Sequence, residues 1–305
     1  MPGVINTGSH PKLLWPGIRE VWGQVYDAHP TEYTDLFDVQ SSKKAYEQDV
    51  EVTGFGLAPI KGQGAPVQND SEMQGWVTTY SHIAYALGYA VTKEELEDNL
   101  YKEVATRRAK ANAFSCHQTV ENVGAFIYNN AFYSTYFTTP DGQPLISAVH
   151  TNASGGTFSN ALTPGADLSE AAIEDMAIQI SQATNDRGLK ISVMMRSLHV
   201  AWNEWFNANR ILKSVLQNDS SNNAINVLKA TNALPEGIKP NHYFTAPNNW
   251  FVRTNVMNGP TMFWRNKPEF DQDNDFSTKN ALASTYMRFS VGCTDPRGLY
   301  GSVGP

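Results

Sequence analysis

A Gly- and Pro-tipped hairpin followed by one long polar helix leaves a chain few folds to choose from, and both lie between Glu47 and Phe132. Thr92-Lys-Glu-Glu95 fits a capping box, in which the threonine accepts from a free amide and the glutamate reaches back. From there to Ala113 glycine and proline are absent, and Ala, Glu, Lys, Arg and Leu dominate. The apolar positions Leu96, Leu100, Val104, Ala111 and Phe114 form one narrow stripe, with charge around most of the remaining circumference. A helix this long with so thin a stripe is not a core helix of a compact enzyme. It reads as a beam along one layer. The apolar face shifts beyond Ser115-Cys-His-Gln-Thr119, which predicts a bend or break there.

The segment before the helix reads as a projecting arm. Glu47 to Thr53 alternates polar and apolar residues, as a half-exposed strand does. Gly54 to Pro66 is rich in residues that break regular structure, and Trp76 to Tyr85 is β-branched and aromatic, a returning strand. Burying such a tip inside its own domain would strand many backbone polar groups. By itself the pattern also fits an ordinary surface loop.

The 305 residues suffice for one large domain or two smaller ones with a sizeable core. Charged residues make up only 17% while aromatics are plentiful, a balance that suits a surface occupied by partners. A formal charge of -7 argues against a face that grips nucleic acid, leaving only Arg107-Arg108 and Lys43-Lys44 as basic clusters and implying at most non-specific contact with DNA. No apolar run reaches membrane-spanning length, and the start lacks a signal-peptide layout. Cys116 and Cys293 form no metal or redox spacing, which suits a reducing cytoplasm.

Before the hairpin, Met1 to about Pro30 reads as an extended arm, punctuated by Pro2, Pro11, Pro16 and Pro30 and carrying Trp15, Trp22 and Tyr26. After the beam, Asp141-Gly142 makes a turn and Thr151 to Pro164 a loop of small residues. Asp167-Leu-Ser-Glu170 opens a second helix, with Ile173, Met176, Ala177 and Ile180 on one side, closed by Asn185-Asp-Arg-Gly188. Ser192 to Val200 is strand-like and Trp202 to Leu216 helical; Asn248 to Val256, Thr261 to Trp264 and Ala283 to Gly292 read as strands.

The search for chemistry is nearly empty. The seven histidines stand alone, with no pair at metal-ligand spacing. Gly54-Phe-Gly56 with Gly62 and Gly64 lacks the Lys-Ser/Thr ending and following helix of a phosphate loop. Asp271-Gln-Asp-Asn-Asp275 starts like a calcium loop, but Phe276 replaces the required glycine and Leu282 the closing glutamate, which leaves a weak cation contact or a solvated acidic turn. No cofactor, metal or catalytic residue is assigned. A metal-assisted hydrolase built from scattered histidines and carboxylates is the remaining enzymatic reading.

The order of pieces resembles the major capsid proteins of tailed bacteriophages with the Hong Kong 97-type fold, an α+β architecture. Local phrases are similar to the Mu-like head-subunit group: Asp141-Gly-Gln-Pro-Leu-Ile-Ser147 with His150, Asp167 to Glu170 with Asn185 to Gly188, Trp202 to Ser214 with Asn209 to Ser214 ending the helix, Asn249 to Val252, and Arg288 to Gly292 with Asp295 to Gly298. Leu198-His-Val-Ala-Trp202 departs from the Pro-containing strand end of relatives. The resemblance implies an N-terminal arm over residues 1-40, an extended hairpin over 41-91, and a spine helix with the first part of a peripheral domain over 92-150. An axial domain would follow over 151-259, and the return strands and C-terminal segment over 260-305.

It further implies a structural role: self-assembly through hexamers and pentamers into an icosahedral head enclosing double-stranded DNA, in the bacterial cytoplasm. A portal and a decoration protein would be partners. The residues before the hairpin are too few, and lack the heptads, for a fused scaffold helix, so a separate scaffold and no large amino-terminal excision are expected. A cellular nanocompartment shell of the same fold is the nearest alternative. Trp15, Trp22, Phe55, Leu57, Ile60, Lys61, Arg107 and Arg108 are the candidate assembly residues. Some shells of this fold join a hairpin lysine covalently to an asparagine of another subunit; the sequence leaves Lys61 open between that and a solvated or ion-paired lysine.

Overall fold

A computed structural model describes residues 15–92, 94–95, 101–216, 225–275, 277–278 and 280–304. The first element corrects the extended-arm expectation. Trp15–Ala28 is a helix, α1, because Pro16 sits in the first turn, where a missing amide costs nothing. Ile18 and Trp22 are buried, with Val25 and Tyr26 partly so, and their spacing marks one helical face. Trp22 is 5% exposed, stacks on Tyr26 and Phe270 at 5.1 and 5.6 Å, and donates to Asn112 Oδ1 at 3.0 Å. A short helix α2 (Tyr33–Leu36) leads into β1 (Asp38–Ser41), then β2 (Tyr46–Val52), β3 (Gln74–Ser81) and β4 (Ile83–Val91).

The long helix, α3, spans Tyr101–Asn129. The capping box expected at Thr92 is half made, since Glu95 N donates to Thr92 Oγ1 at 3.3 Å while the Glu95 carboxylate turns to Arg108. No break occurs at Ser115–Thr119; the helix runs through it. The buried face is not the predicted one either. Ala111 and Phe114 are exposed, while Ala105, Ala109, Ala113, Cys116 and Val120 are buried. Small residues won because they allow close approach of α1 and the neighbouring sheet, whereas the sequence reading followed the larger apolar groups. Leu96, Leu100 and the Val104 side chain lie outside the described residues.

Beyond a small ribbon, β5 (His150–Thr151) with β6 (Thr157–Phe158), comes α4 (Glu170–Ser181), whose Ser169 cap accepts from Ala172 N at 3.2 Å. Then follow β7 (Met195–Ala201), α5 (Trp205–Lys213), α6 (Val227–Ala230), β8 (Ile238–Asn241), β9 (Trp250–Thr254), β10 (Pro260–Asn274), β11 (Ala281–Cys293) and β12 (Leu299–Ser302). One sheet has the order β1-β10-β11-β4, the other β12-β9-β7-β8, and β2-β3 form the separate hairpin. Leu299–Ser302 thus joins the second sheet, beside β9.

Two apolar cores result. One gathers α1, α3 and the first sheet; the other lies among α4, α5, α6 and the second sheet. Strand alternation joins them: Phe251 and Leu299 point into the first core, while neighbouring Trp250, Val252 and Tyr300 point into the second. Glu121, wholly buried on α3, ties the entry of α2 to the helix by accepting from Glu32 N and Tyr33 N at 2.9 Å each.

Candidate functional site

Strand β2 of the hairpin is built inside out, while β3 buries Tyr80 against Phe263. Along β2 the half-buried side carries Glu47, Asp49 and Glu51, while Tyr46, Val50 and Val52 face away from the body and are exposed. Register pairs Val50 with Val77 on the outer face, and Gln48 Nε2 donates across to Thr79 Oγ1 at 3.1 Å. Ordinary half-exposed strands put apolar residues inward. Here the acids are held inward by specific partners: Asp49 accepts from Thr294 Oγ1 at 2.8 Å, and Glu47 binds Ser42 and Lys44. The lower pKa of the Glu47 carboxyl reflects those two hydrogen bonds, Lys44 first.

Beyond β2 the tip offers Phe55, Leu57 and Ile60, with Leu57 82% exposed and Ile60 fully so. It encloses an open hollow of about 640 Å³ lined by residues between Phe55 and Asp70. Gly54 and Gly64 take the positive φ values of +66° and +77° that the turns of this tip need. Lys61 is exposed on the same loop.

Of the eight candidate assembly residues, four (Phe55, Leu57, Ile60 and Lys61) therefore lie together on the tip. Trp22 does not join them; it is spent inside the chain, because its indole fills the gap between α1, α3 and β10. Trp15 begins α1, but its side chain lies outside the described residues. Arg107 is exposed on α3, away from the tip's sequence neighbours, and Arg108 is committed to Glu95 Oε1 at 2.6 Å and Ala90 O at 3.3 Å.

Sequence reasoning missed two exposed surfaces. The first is the outer hairpin face of Tyr46, Val50, Val52 and Val77. Its alternation was legible, but which side faced inward was not. The second is an aromatic pair at the end of α3, where Phe126 meets Tyr136 edge-on at 5.7 Å, with Tyr133 also exposed in the segment between them. Contiguous exposed apolar surface of this kind marks a contact with another molecule.

Among the described residues no group of three or more His, Cys, Asp or Glu could hold a metal ion. His150 Nδ1 bonds Asp141 at 2.9 Å, His199 Nε2 meets Ser197 at 2.8 Å, His82 lies between Ser290 and Ser42, and His242 pairs with Glu32, while the buried His117 packs against the His29 and Tyr26 rings with neither nitrogen hydrogen-bonded. The acidic run at Asp271 is part of β10, and Asp275 caps the following turn by accepting from Ser277 and Thr278. Those bonds, Thr278 first, hold its carboxyl down to about 2. Both cysteines are free and buried. No helix among the described residues is long and apolar enough to cross a membrane.

Three solved structures share this architecture. The subunit of a virus-like particle from Pyrococcus furiosus matches with a TM-score of 0.53 at 9% identity, covering 95% of this chain and 99% of that one. The capsid of a native GTA particle matches with 0.53 at 12% identity, covering 100% and 93%. The Microbacterium phage Oxtober96 chain matches with 0.53 at 8% identity, covering 91% and 92%. Among curated protein sequences none matches. At these identities the likeness is one of fold, the Hong Kong 97-type. The family model for phage capsid proteins matches residues 76–302, most of the chain, and the protein belongs to that family as a structural subunit of a capsid shell.

Proposed function

We propose that the chain is the major head subunit of a tailed phage, assembling through hexamers and pentamers into an icosahedral shell around double-stranded DNA. The single observation that carries this reading is the hairpin whose outer face and tip offer apolar side chains that none of the described residues covers. A neighbouring copy is the natural cover, since a shell subunit meets many copies of itself. Residues 151–259 serve as the axial part at capsomer centres, and the long helix with the strands around it as the peripheral part. A separate scaffold protein sets curvature, a portal replaces one vertex, and a decoration protein binds the finished surface. Contact with packaged DNA is non-specific, as the net charge of -7 favours. Assembly takes place in the bacterial cytoplasm, and the phrases shared with the Mu-like group favour that branch.

Replacing Gly54 through Pro66 by a short turn tests the reading. The variant should melt like the wild type and fail to form closed shells under the electron microscope. Unfolding of the shortened subunit on its own, or normal shells, would refute the interchain role of the tip. The shared fold of the Pyrococcus furiosus particle supports a second reading, a protein-filled compartment, which nuclease-protected DNA inside purified particles would exclude.

A further inference from the structure

The third inward acid of β2, Glu51, meets an unusual partner: the carboxyl of Asp186, within hydrogen-bonding reach. Two carboxylates share a hydrogen bond only if one of them holds a proton. The pair borders a small, partly open cavity of about 20 Å³ between hairpin and body, room for a single water, lined also by Trp76 and Phe158. Three other charged groups face it. Arg297 lies 3.4 Å from Asp186 Oδ1 and 3.4 Å from Asp295 Oδ1, and 3.8 Å over the Phe158 ring. One guanidinium thus faces Glu51, Asp186 and Asp295. Asp141, on the far wall, is occupied elsewhere: burial would raise its pKa, but bonds from His150, Thr139 and Thr151 N hold it well below the ordinary range, so it stays an anion.

The residue after Asp186 also grips the hairpin. Arg187 donates from Nη2 to Ser71 O at 2.6 Å and Asp70 Oδ1 at 3.2 Å, and from Nε to Gly54 O at 3.3 Å. The turn that presents both residues is stiff, since Asn185 Oδ1 accepts from Arg187 N at 3.0 Å and Leu189 N at 2.8 Å.

We propose that the turn Asn185-Asp-Arg-Gly188 is a proton-operated latch that parks the hairpin against its own chain, closed by one proton shared between Glu51 and Asp186. In the closed state Glu51 donates its proton to the Asp186 carboxylate, which keeps its pairing with Arg297. When the proton leaves, three carboxylates press on one guanidinium; Thr294 Oγ1 to Asp49 at 2.8 Å and Trp76 Nε1 to Thr151 O at 3.2 Å still hold the base of the hairpin, and the tip beyond Glu51 is left to the partly exposed Arg187 contacts, which are weak alone. Burial, then the hydrogen bond and charge of Asp186, raise the Glu51 pKa from 4.5 to about 7. Burial raises Asp295 as well, against the pull of Arg297. The closed state binds the Glu51 proton more tightly than the open one. The stabilisation is therefore complete below about 4.5 and disappears as pH rises through about 7.

Spin labels at Gln68→Cys on the tip and Glu174→Cys on α4 read the hairpin position, because Cys116 and Cys293 are buried. Labelled full-length chain diluted with unlabelled chain reports intrachain distances only, independently of whether shells close. The wild type should give one narrow distance at about pH 5 and a broader, longer distribution at about pH 9, either side of the Glu51 transition. Glu51→Gln should stay narrow at both, since its amide donates to Asp186 without titrating; if that variant fails to fold, Asp186→Asn supplies the comparison. Superimposable wild-type distributions at the two pH values would overturn the latch. So would a Glu51→Gln or Asp186→Asn variant with the pH dependence of the wild type.

Discussion

Asn112→Leu should be among the most damaging single substitutions in this subunit, although it replaces a polar group by an apolar one inside a core. Asn112 is 4% exposed on α3 and serves three other elements. Its Oδ1 accepts from Trp22 Nε1 of α1 at 3.0 Å and from Thr285 Oγ1 of β11, and its Nδ2 donates to Leu87 O of β4 at 3.0 Å. Leucine takes this partner from all three groups, the Thr285 hydroxyl alone keeping another, Cys116. A stranded buried group costs about 1–3 kcal/mol, the freely rotating hydroxyl least, so the three together cost about 3–5 kcal/mol. Extra apolar burial of the leucine returns about 1 kcal/mol. The net loss of about 2–4 kcal/mol is a large share of a domain stability of about 5–15 kcal/mol. Urea unfolding of dilute, unassembled subunit measures it, provided the slope stays constant so that the midpoint shift reports stability. Thr285→Val is the control, removing one hydroxyl and leaving Asn112 two partners, for a loss of about 1 kcal/mol. If Asn112→Leu lies within about 0.5 kcal/mol of wild type, or matches Thr285→Val, the hub does not work as described.

Two further outcomes follow from the same geometry. His199 is wholly buried, and burial, then the charges of Arg253, Lys239 and Arg196, hold its pKa well below 6.5. The unfolded chain takes up that proton first, so stability is present above about 6.5 and lost as pH falls below it; the urea midpoint of wild type should drop relative to His199→Gln on acidification and run parallel above. Parallel curves throughout would show that the ring is not kept neutral. Val50→Lys, at a side chain 51% exposed on the outer hairpin face, should change stability by less than about 0.5 kcal/mol while abolishing shells in electron micrographs. Normal particles from that variant would mean this face is not a contact.

The sequence was most legible where local rules act. The hairpin strands follow from period-two alternation and from the breakers between Gly54 and Pro66, and the helix α4 from the Ser169 cap and its Ile173–Ile180 face. It misled where one local cue outvoted another. Counting prolines hid α1, although Ile18, Trp22, Val25 and Tyr26 spelled a helical stripe. The change of apolar face near Cys116 suggested a break, yet backbone hydrogen bonds along a helix do not depend on which face is buried, and α3 continues to Asn129.

What the residues determined alone was the order of the main pieces, the hairpin, the long helix, α4 and the strands after it, because helix capping, strand alternation and turn chemistry involve neighbours in the chain. They also carried the family resemblance, which rests on order rather than on any one phrase. Only the tertiary structure decided which side of α1, β2 and α3 is buried. That choice depends on what lies opposite: Thr294 and Asp186 draw the acids of β2 inward and leave Val50 outward, and Phe270 and Asn112 draw Trp22 into the core. Partners so distant in sequence leave no periodic trace in either segment, and the surface left for other copies is what remains once those long-range choices are made.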